Sequence, residues 1–210
     1  TTIYNCSFSG FRPKGSFSSE SFYSAFRFGT NTNVEFFNNT IKGHFNSGAG
    51  WPNLFIGLIE HRIENCTFIS NKVDAQNGAG GAGLDFLFDP VISNCYFENN
   101  QAVLKSNSIG GTGGAIRFAK NARIEIDECL FVNNRADCEG GALSIECKSA
   151  YIHDSTFINN YAAQQSFGNS TSNNRMGGAI YFNSNNYNEK YTLTGCIFRQ
   201  NTADQNGHAL

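Results

Sequence analysis

A short pattern of apolar and polar positions recurs along the chain: an apolar residue, Cys three positions later, Phe two after that, and Asn three after the Phe. Clear copies occupy 63–71, 92–100, 126–134, 152–160 (with Ser155 in place of Cys) and 193–201. Two weaker copies precede them: at 3–11 Phe11 replaces the Asn, and 36–44 matches by residue type only. The Phe-equivalent positions are 26 to 41 residues apart, which predicts constant strands joined by variable loops.

A second pattern lies between successive copies of the first: Gly-Gly-Ala followed by an apolar-polar-apolar alternation. It occurs at 113–118, 140–145 and 177–182, more loosely at 81–86, without the glycines at 23–28, and begins again at 207–210. Both patterns alternate with a period of two, so each predicts a short strand. A unit of about 30 residues with two or three such strands cannot bury its apolar face alone, and is typical of one coil of a solenoid.

We therefore predict an all-β fold, a right-handed parallel β-helix of about seven coils forming a single domain over 1–210. The coils are expected near 1–31, 32–60, 61–89, 90–121, 122–149, 150–189 and 190–210. The chain starts with Thr1 rather than Met, and we expect it to be part of a longer one.

Equivalent positions of stacked coils form ladders. An interior column of rings is predicted for Phe8, Phe68, Phe97, Phe131, Phe157 and Phe198. Left-handed turns and a ladder of side-chain amides are predicted for Asn71, Asn100, Asn134, Asn160 and Asn201. Each Gly-Gly pair is expected at a tight corner, where the backbone comes close to its neighbour.

The cysteines divide into one column and an outlying pair. The column is Cys6, Cys66, Cys95, Cys129 and Cys196. Ser155 and Asn39 take the same slot, so we expect it to be structural, and a disulfide between in-register neighbours would need unusual geometry. Cys138 and Cys147 flank one predicted strand and are expected to stay unpaired.

Four Asn-x-Ser/Thr signals are candidate N-glycosylation sites, conditional on a eukaryotic secretory source. They are Asn5, Asn38, Asn65 and Asn169. Alternation predicts that Asn5 and Asn65 point outward, and Asn169 lies in a polar loop.

Composition excludes several function classes. Only 15% of the residues are charged and the net charge is −2, which argues against nucleic acid as a partner. The apolar stretch 54–59 is too short for a membrane span. No cofactor site is predicted, because no Lys-Ser/Thr follows the Gly-rich stretches, and no metal site, because His44, His61, His153 and His208 lack metal-binding spacing.

No catalytic residue is predicted either. The acidic residues are scattered along the sequence, and Asp85, Arg117, Ser144 and Tyr181 share an outward register position, where an Asp–Arg contact is expected to be a surface pair. Trp51, Tyr161 and Tyr187 are aromatic residues that can stack on sugars, although packing within loops is the commoner role.

The paired motifs resemble the repeats of the polymorphic outer membrane protein family. Phe-x-x-Asn at 97–100, 131–134 and 157–160 alternates with Gly-Gly-Ala-apolar at 113–116, 140–143 and 177–180. The resemblance covers the chain from about Ile63 onward. It implies a surface-displayed β-helix, adhesive in character and located outside the cell or at the cell surface.

Three functions remain open at this point. The first is a non-enzymatic adhesin or display scaffold whose loops at 12–21, 45–52, 101–112 and 161–175 bind a host or cell-surface protein or glycan. The second is a structural subunit of an extracellular filament, formed by end-to-end stacking of uncapped coils. The third is a polysaccharide lyase or hydrolase, which needs clustered carboxylates.

Overall fold

The computed structural model describes residues 2–10, 26–27, 34–48, 55–57, 61–75, 84–86, 89–104, 111–118, 122–163, 176–183, 189–204 and 207. These residues form short strands and corners, and none of them is helical. All strand pairs are parallel and in register with the equivalent strand one coil away, for example Phe97 with Phe131. The fold is all-β, with parallel strands in stacked sheets, as expected for a parallel β-helix; the direction of winding stays a prediction.

Four sheets run along the stack, and we number them in the order in which a coil passes through them. The first sheet contains β1 (Thr2–Tyr4), β4 (Val34–Phe37), β8 (His61–Glu64), β12 (Pro90–Ser93), β16 (Arg123–Asp127), β20 (Ser149–His153) and β24 (Lys190–Thr194). The second contains β2 (Ser7–Ser9), β5 (Thr40–Lys42), β9 (Thr67–Ile69), β13 (Tyr96–Glu98), β17 (Leu130–Val132), β21 (Thr156–Ile158) and β25 (Ile197–Arg199).

The other two sheets have six strands each within the described ranges. The third contains β6 (Phe45–Gly48), β10 (Lys72–Ala75), β14 (Gln101–Leu104), β18 (Arg135–Ala136), β22 (Tyr161–Ala162) and β26 (Thr202–Ala203). The fourth contains β3 (Phe26–Arg27), β7 (Phe55–Gly57), β11 (Leu84–Phe86), β15 (Ile116–Phe118), β19 (Leu143–Ile145) and β23 (Ile180–Phe182).

The third sheet corrects our placement of the variable loops. Three of the four segments predicted as loops begin with one of its strands: β6 within 45–52, β14 within 101–112 and β22 within 161–175. These strands are short and only partly apolar, so their alternation is too weak to recognise in the sequence. The fourth predicted loop, 12–21, lies outside the described residues.

Two corners separate the first three sheets, and each places one residue in the left-handed region. The first corner uses Asn5, Asn38, Asn65, Asn94, Glu128, Asp154 and Gly195, with φ between 48° and 64°. The second uses Gly10, Gly43, Ser70, Asn99, Asn133, Asn159 and Gln200, with φ between 53° and 69°. The left-handed residue therefore immediately precedes each repeat Asn, and our prediction that the repeat Asn itself turns the chain was wrong. The side chain of the repeat Asn is instead buried in the core, where its amide both donates and accepts hydrogen bonds.

The interior contains a continuous stack of phenylalanine rings. Phe68, Phe97, Phe131 and Phe157 have centroids 4.8 Å apart, and Phe198 follows 5.0 Å after Phe157, with neighbouring rings within 6° of parallel. Phe8 does not join them, because its register partner on the next coil is Ile41; it lies half-buried, 6.3 Å from Phe36. The column is thus continuous only from Phe68 onward.

A ladder of buried amides runs beside the rings. Each repeat Asn donates from Nδ2 to the next Asn Oδ1 at 2.9–3.0 Å and to a backbone carbonyl of the preceding coil, as Asn134 does to Asn160 and to the Phe97 carbonyl. Each Oδ1 also accepts a backbone N–H from the preceding coil. The buried amide groups therefore satisfy one another from Asn71 to Asn201, and burying them costs little.

The cysteine column also forms hydrogen bonds from coil to coil, but through thiols, which are weaker donors and acceptors than amides. Cys66, Cys95 and Cys129 are buried, and their sulfurs accept backbone N–H groups of the preceding coil at 3.4 Å, a role that the Ser155 hydroxyl takes over at 3.1 Å. Burial raises the pKa of the Cys95 thiol well above its usual value. Cys6 and Cys196, in the outermost described coils, are less covered.

The Gly-Gly pairs lie where a side chain has no room. The first glycine of each pair has φ near 67°, and a Cβ on the second would meet backbone: Gly141 would contact the Gly178 carbonyl oxygen at 2.0 Å. The next residue, as at Ala142, is completely buried. Gly-Gly-Ala is therefore required by the close stacking of one coil on the next.

Candidate functional site

The outer face of the first sheet presents the most varied chemistry among the described residues. One outward register position holds Glu35, Arg62, Val91, Glu125 and Tyr151 on successive coils. All of these residues are exposed, and Tyr151 and Val91 keep 46% and 38% of their surface in solvent. This face therefore combines charged groups with an aromatic ring and an aliphatic side chain, the mixture of groups found in ligand sites.

A groove of about 550 Å³ runs across this face. Its walls combine the exposed residues above with Asp89 and Arg123, whose backbone N–H donates to the Asp89 carboxylate at 2.6 Å. Arg62 pairs with Glu64 and lies 5.9 Å from the centre of the Phe37 ring. The Arg62 guanidinium thus has a carboxylate and an aromatic ring as neighbours on this face.

His61 forms part of the groove wall but is 2% exposed. Burial lowers the pKa of its imidazole, although a hydrogen bond with the Val34 backbone partly opposes this effect. The side chain is therefore neutral at physiological pH and adds no charge to the groove.

A second group of side chains gathers at one end of this face, where β16 and β20 reach the first corner. Asp127 and His153 are register partners, and the Asp127 Oδ1 lies 2.8 Å from the His153 Nδ1. The Asp154 Oδ2 lies 3.7 Å from the same nitrogen, and the Glu125 Oε1 lies 3.7 Å from His153 Nε2. Our sequence analysis missed this group because it treated the acidic residues as scattered and the histidines as isolated. A signal was present, since Asp127 and His153 both lie two residues before the Cys-column position.

A third group lies on the fourth sheet. Asp85, Arg117, Ser144 and Tyr181 are register partners as expected. Arg117 and Ser144 are only 8% and 6% exposed, so the predicted surface column is covered at these two positions. Beside it, burial raises the pKa of Glu139 to about 7; the nearby charge of Glu146 adds to the rise and a hydrogen bond with Tyr181 reduces it. Burial therefore favours the protonated form of the Glu139 carboxyl group, and this group does not line the groove.

The structure also locates the other residues singled out in the sequence: the candidate glycosylation sites, the remaining histidines and the aromatic residues. Asn5, Asn38 and Asn65 are exposed and occupy the first corner on successive coils, whereas Asn169 lies outside the described residues. His44 is buried like His61, and burial lowers its pKa. The Tyr161 hydroxyl donates to Asp204 at 2.7 Å; Trp51, Tyr187 and His208 lie outside the described residues.

Comparison with known proteins identifies the repeat. No curated protein and no solved structure matches the chain. The described part of the chain has no helix capable of crossing a membrane. Residues 94–119 and 128–146 match the family model of the Chlamydia polymorphic membrane protein repeat, which is found in surface and outer-membrane proteins. The chain therefore carries polymorphic membrane protein-type repeats, as its Phe-x-x-Asn and Gly-Gly-Ala motifs predicted, and is similar over these segments to proteins of the cell surface.

Proposed function

We propose that the protein is a non-enzymatic, extracellular adhesin that binds a cell-surface glycan in the groove on the outer face of its first sheet. The observation that carries this proposal is the exposed Tyr151 ring, which lines one 550 Å³ groove together with Val91 and the charged side chains of Arg62, Arg123 and Glu125. The repeat match supports a surface role.

The chemistry of the groove suits a sugar. An exposed aromatic ring offers a flat apolar surface for the carbon face of a pyranose, while guanidinium and carboxylate groups bond its hydroxyls. The groove contains three carboxylates, Glu35, Asp89 and Glu125, against two guanidinium groups. A polyanion is disfavoured by this balance, so we propose a neutral or weakly charged glycan.

The stack beneath the groove supplies rigidity. The strands that carry Arg62, Val91 and Glu125 are paired on both sides, and their inward neighbours, such as Ile92 and Ile126, are fully buried. The backbone of such strands is already ordered, so binding a ligand here costs little backbone entropy.

The placement of Glu139 supports the non-enzymatic part of the proposal. Burial raises the pKa of this carboxyl group to about 7, a value that suits a general acid. It lies next to Tyr181 of the fourth sheet and is not among the residues that line the groove.

The test measures adhesion of the purified protein to cells before and after enzymatic removal of surface glycans. We expect binding to fall at least about tenfold after glycan removal. Tyr151→Ala should weaken binding about two- to tenfold, since a stacked ring contributes about 0.5–1.5 kcal/mol. Tyr4→Ala is the matched control, because Tyr4 is 58% exposed on the same sheet but does not line the groove.

Three outcomes would contradict the proposal or part of it. Binding that survives glycan removal would show that the ligand is a protein. Equal loss in Tyr151→Ala and Tyr4→Ala, with unchanged thermal unfolding, would show that the groove is not the binding surface. Turnover of a polysaccharide by the wild-type protein would remove the non-enzymatic part of the proposal.

A further inference from the structure

The corner group formed by Asp127, His153 and Asp154 has the composition of a metal site. One imidazole nitrogen and two carboxylate oxygens, one from each side chain, all lie within 4.8 Å of one another. The backbone fixes two of them, since Asp127 and His153 are register partners at the ends of β16 and β20. Asp154 follows His153 directly and turns the corner with φ 48°.

The distances are close to those of a coordinated ion. Ligand atoms about 2.1 Å from a tetrahedral metal are about 3.4 Å apart. The Nδ1 of His153 lies 2.8 Å from Asp127 Oδ1 and 3.7 Å from Asp154 Oδ2. The two measured separations bracket this value, so the group is close to the arrangement of a three-ligand site.

A second observation concerns the other nitrogen of the His153 imidazole. His153 Nε2 is buried and has no hydrogen-bond partner, although Glu125 Oε1 lies only 3.7 Å away. A neutral imidazole that donates from Nδ1 to Asp127 leaves Nε2 without a proton to offer Glu125. When Nδ1 binds a metal, the proton moves to Nε2 and can be donated to that carboxylate, as in the carboxylate–histidine–metal arrangement of many sites.

Gly195 on the next coil leaves space for the carboxylate of Asp154, the third ligand. A Cβ on Gly195 would lie 2.0 Å from Asp154 Oδ1, so a side chain at this position would displace the carboxylate. Gly195 occupies the corner position that Asn or an acidic residue takes on the other described coils. The Asp154 side chain is 65% exposed, so water has access to the remaining coordination positions.

We propose that Asp127, His153 and Asp154 bind one divalent transition-metal ion of the Zn²⁺ class, with water completing its coordination and Glu125 orienting the imidazole. An imidazole with two carboxylates favours zinc over calcium, which takes six to eight oxygen ligands. This proposal goes beyond the proposed adhesin function and does not depend on it.

The test is calorimetric titration of the folded, reduced chain with ZnCl₂ at pH 7.5. We expect one saturable site and a higher Tm with zinc. His153→Gln and Asp154→Asn should each weaken binding at least tenfold. Gly195→Ala should also weaken it, because its Cβ displaces the Asp154 carboxylate.

Two controls separate this site from other binding. Glu128→Gln removes an exposed carboxylate next to Asp127 and should leave the affinity unchanged. Cys6→Ser removes the exposed thiol, which can itself bind zinc, and should also leave the site intact. Undiminished binding in His153→Gln, abolished binding in Cys6→Ser, or no stoichiometric binding by the wild-type chain would each overturn the proposal.

Discussion

The ring of Phe131 lies 4.8 Å from the ring of Phe97 and within 6° of parallel to it, although 34 residues separate them in the chain. Phe157 repeats this contact on the other side of Phe131 at the same 4.8 Å. The coil spacing sets both distances, because strands paired in a sheet are about 4.8 Å apart. The core of this protein is therefore a one-dimensional stack in which each ring contacts the rings above and below.

Phe131→Ala removes a ring from the middle of this stack. Because the neighbouring strands are fixed by hydrogen bonds on both sides, the cavity cannot collapse, and we expect a loss of about 3–5 kcal/mol in the free energy of unfolding. Urea denaturation measures this loss. The matched change Phe198→Ala, at a half-buried ring in the last described coil, should cost clearly less; equal losses would contradict the stacked-core account.

Asn134→Ala interrupts the amide ladder. The Asn134 amide donates to Asn160 and to the Phe97 carbonyl, and accepts the backbone and side-chain N–H groups of Asn100. Truncation leaves these partners buried without hydrogen bonds, so we expect a loss of about 3 kcal/mol or more. Asn133→Asp is the control, because Asn133 is exposed at the corner and Asp tolerates its left-handed backbone. A similar loss in both variants would refute the ladder's contribution to stability.

Gly141→Ala tests the close approach of two coils. Its Cβ would lie 2.0 Å from the Gly178 carbonyl oxygen and 2.5 Å from the Tyr161 nitrogen, both backbone atoms that cannot rotate away. We expect destabilisation of about 3 kcal/mol or more, measured by thermal unfolding. Gly43→Ala should cost only about 1–2 kcal/mol, since Gly43 has φ 64° but open space around its Cβ position.

Glu139→Gln should change the pH dependence of stability. Burial raises the pKa of Glu139 to about 7 in the folded state, above the ordinary value of 4.5. Folding therefore favours the protonated carboxyl group, and this contribution is present at low pH and is lost as pH rises from 4.5 through about 7. The neutral amide avoids the loss, so the variant should be more stable than wild type above pH 7 and similar to it below pH 4.5.

Urea unfolding at pH 4.5, 6 and 8 checks this prediction. A gain for Glu139→Gln that is the same at every pH would mean that side-chain packing, not ionisation, is responsible.

The sequence predicted the repeating part of the fold because one physical constraint is repeated in it. Each coil must place a ring, an amide and a small polar or sulfur group at fixed positions over the previous coil, so Phe131, Asn134 and Cys129 recur at constant local spacing. Gly-Gly-Ala recurs for the same reason, since a Cβ at Gly141 has no space. The third sheet escaped prediction because its strands, such as Arg135–Ala136, are too short for a period of two to be recognised.

By itself, the sequence determined the parallel stack and its interior, because burial forces every coil to repeat the same residues inward. Only the tertiary structure decided what lies on the outside, where no such repetition is imposed. Asp127 and His153 are 26 residues apart, and stacking of their strands brings the carboxylate to 2.8 Å from the imidazole. Likewise, the groove beside Tyr151 gathers side chains from five coils, and outward neighbours on different coils become a surface only when the register between the coils is set.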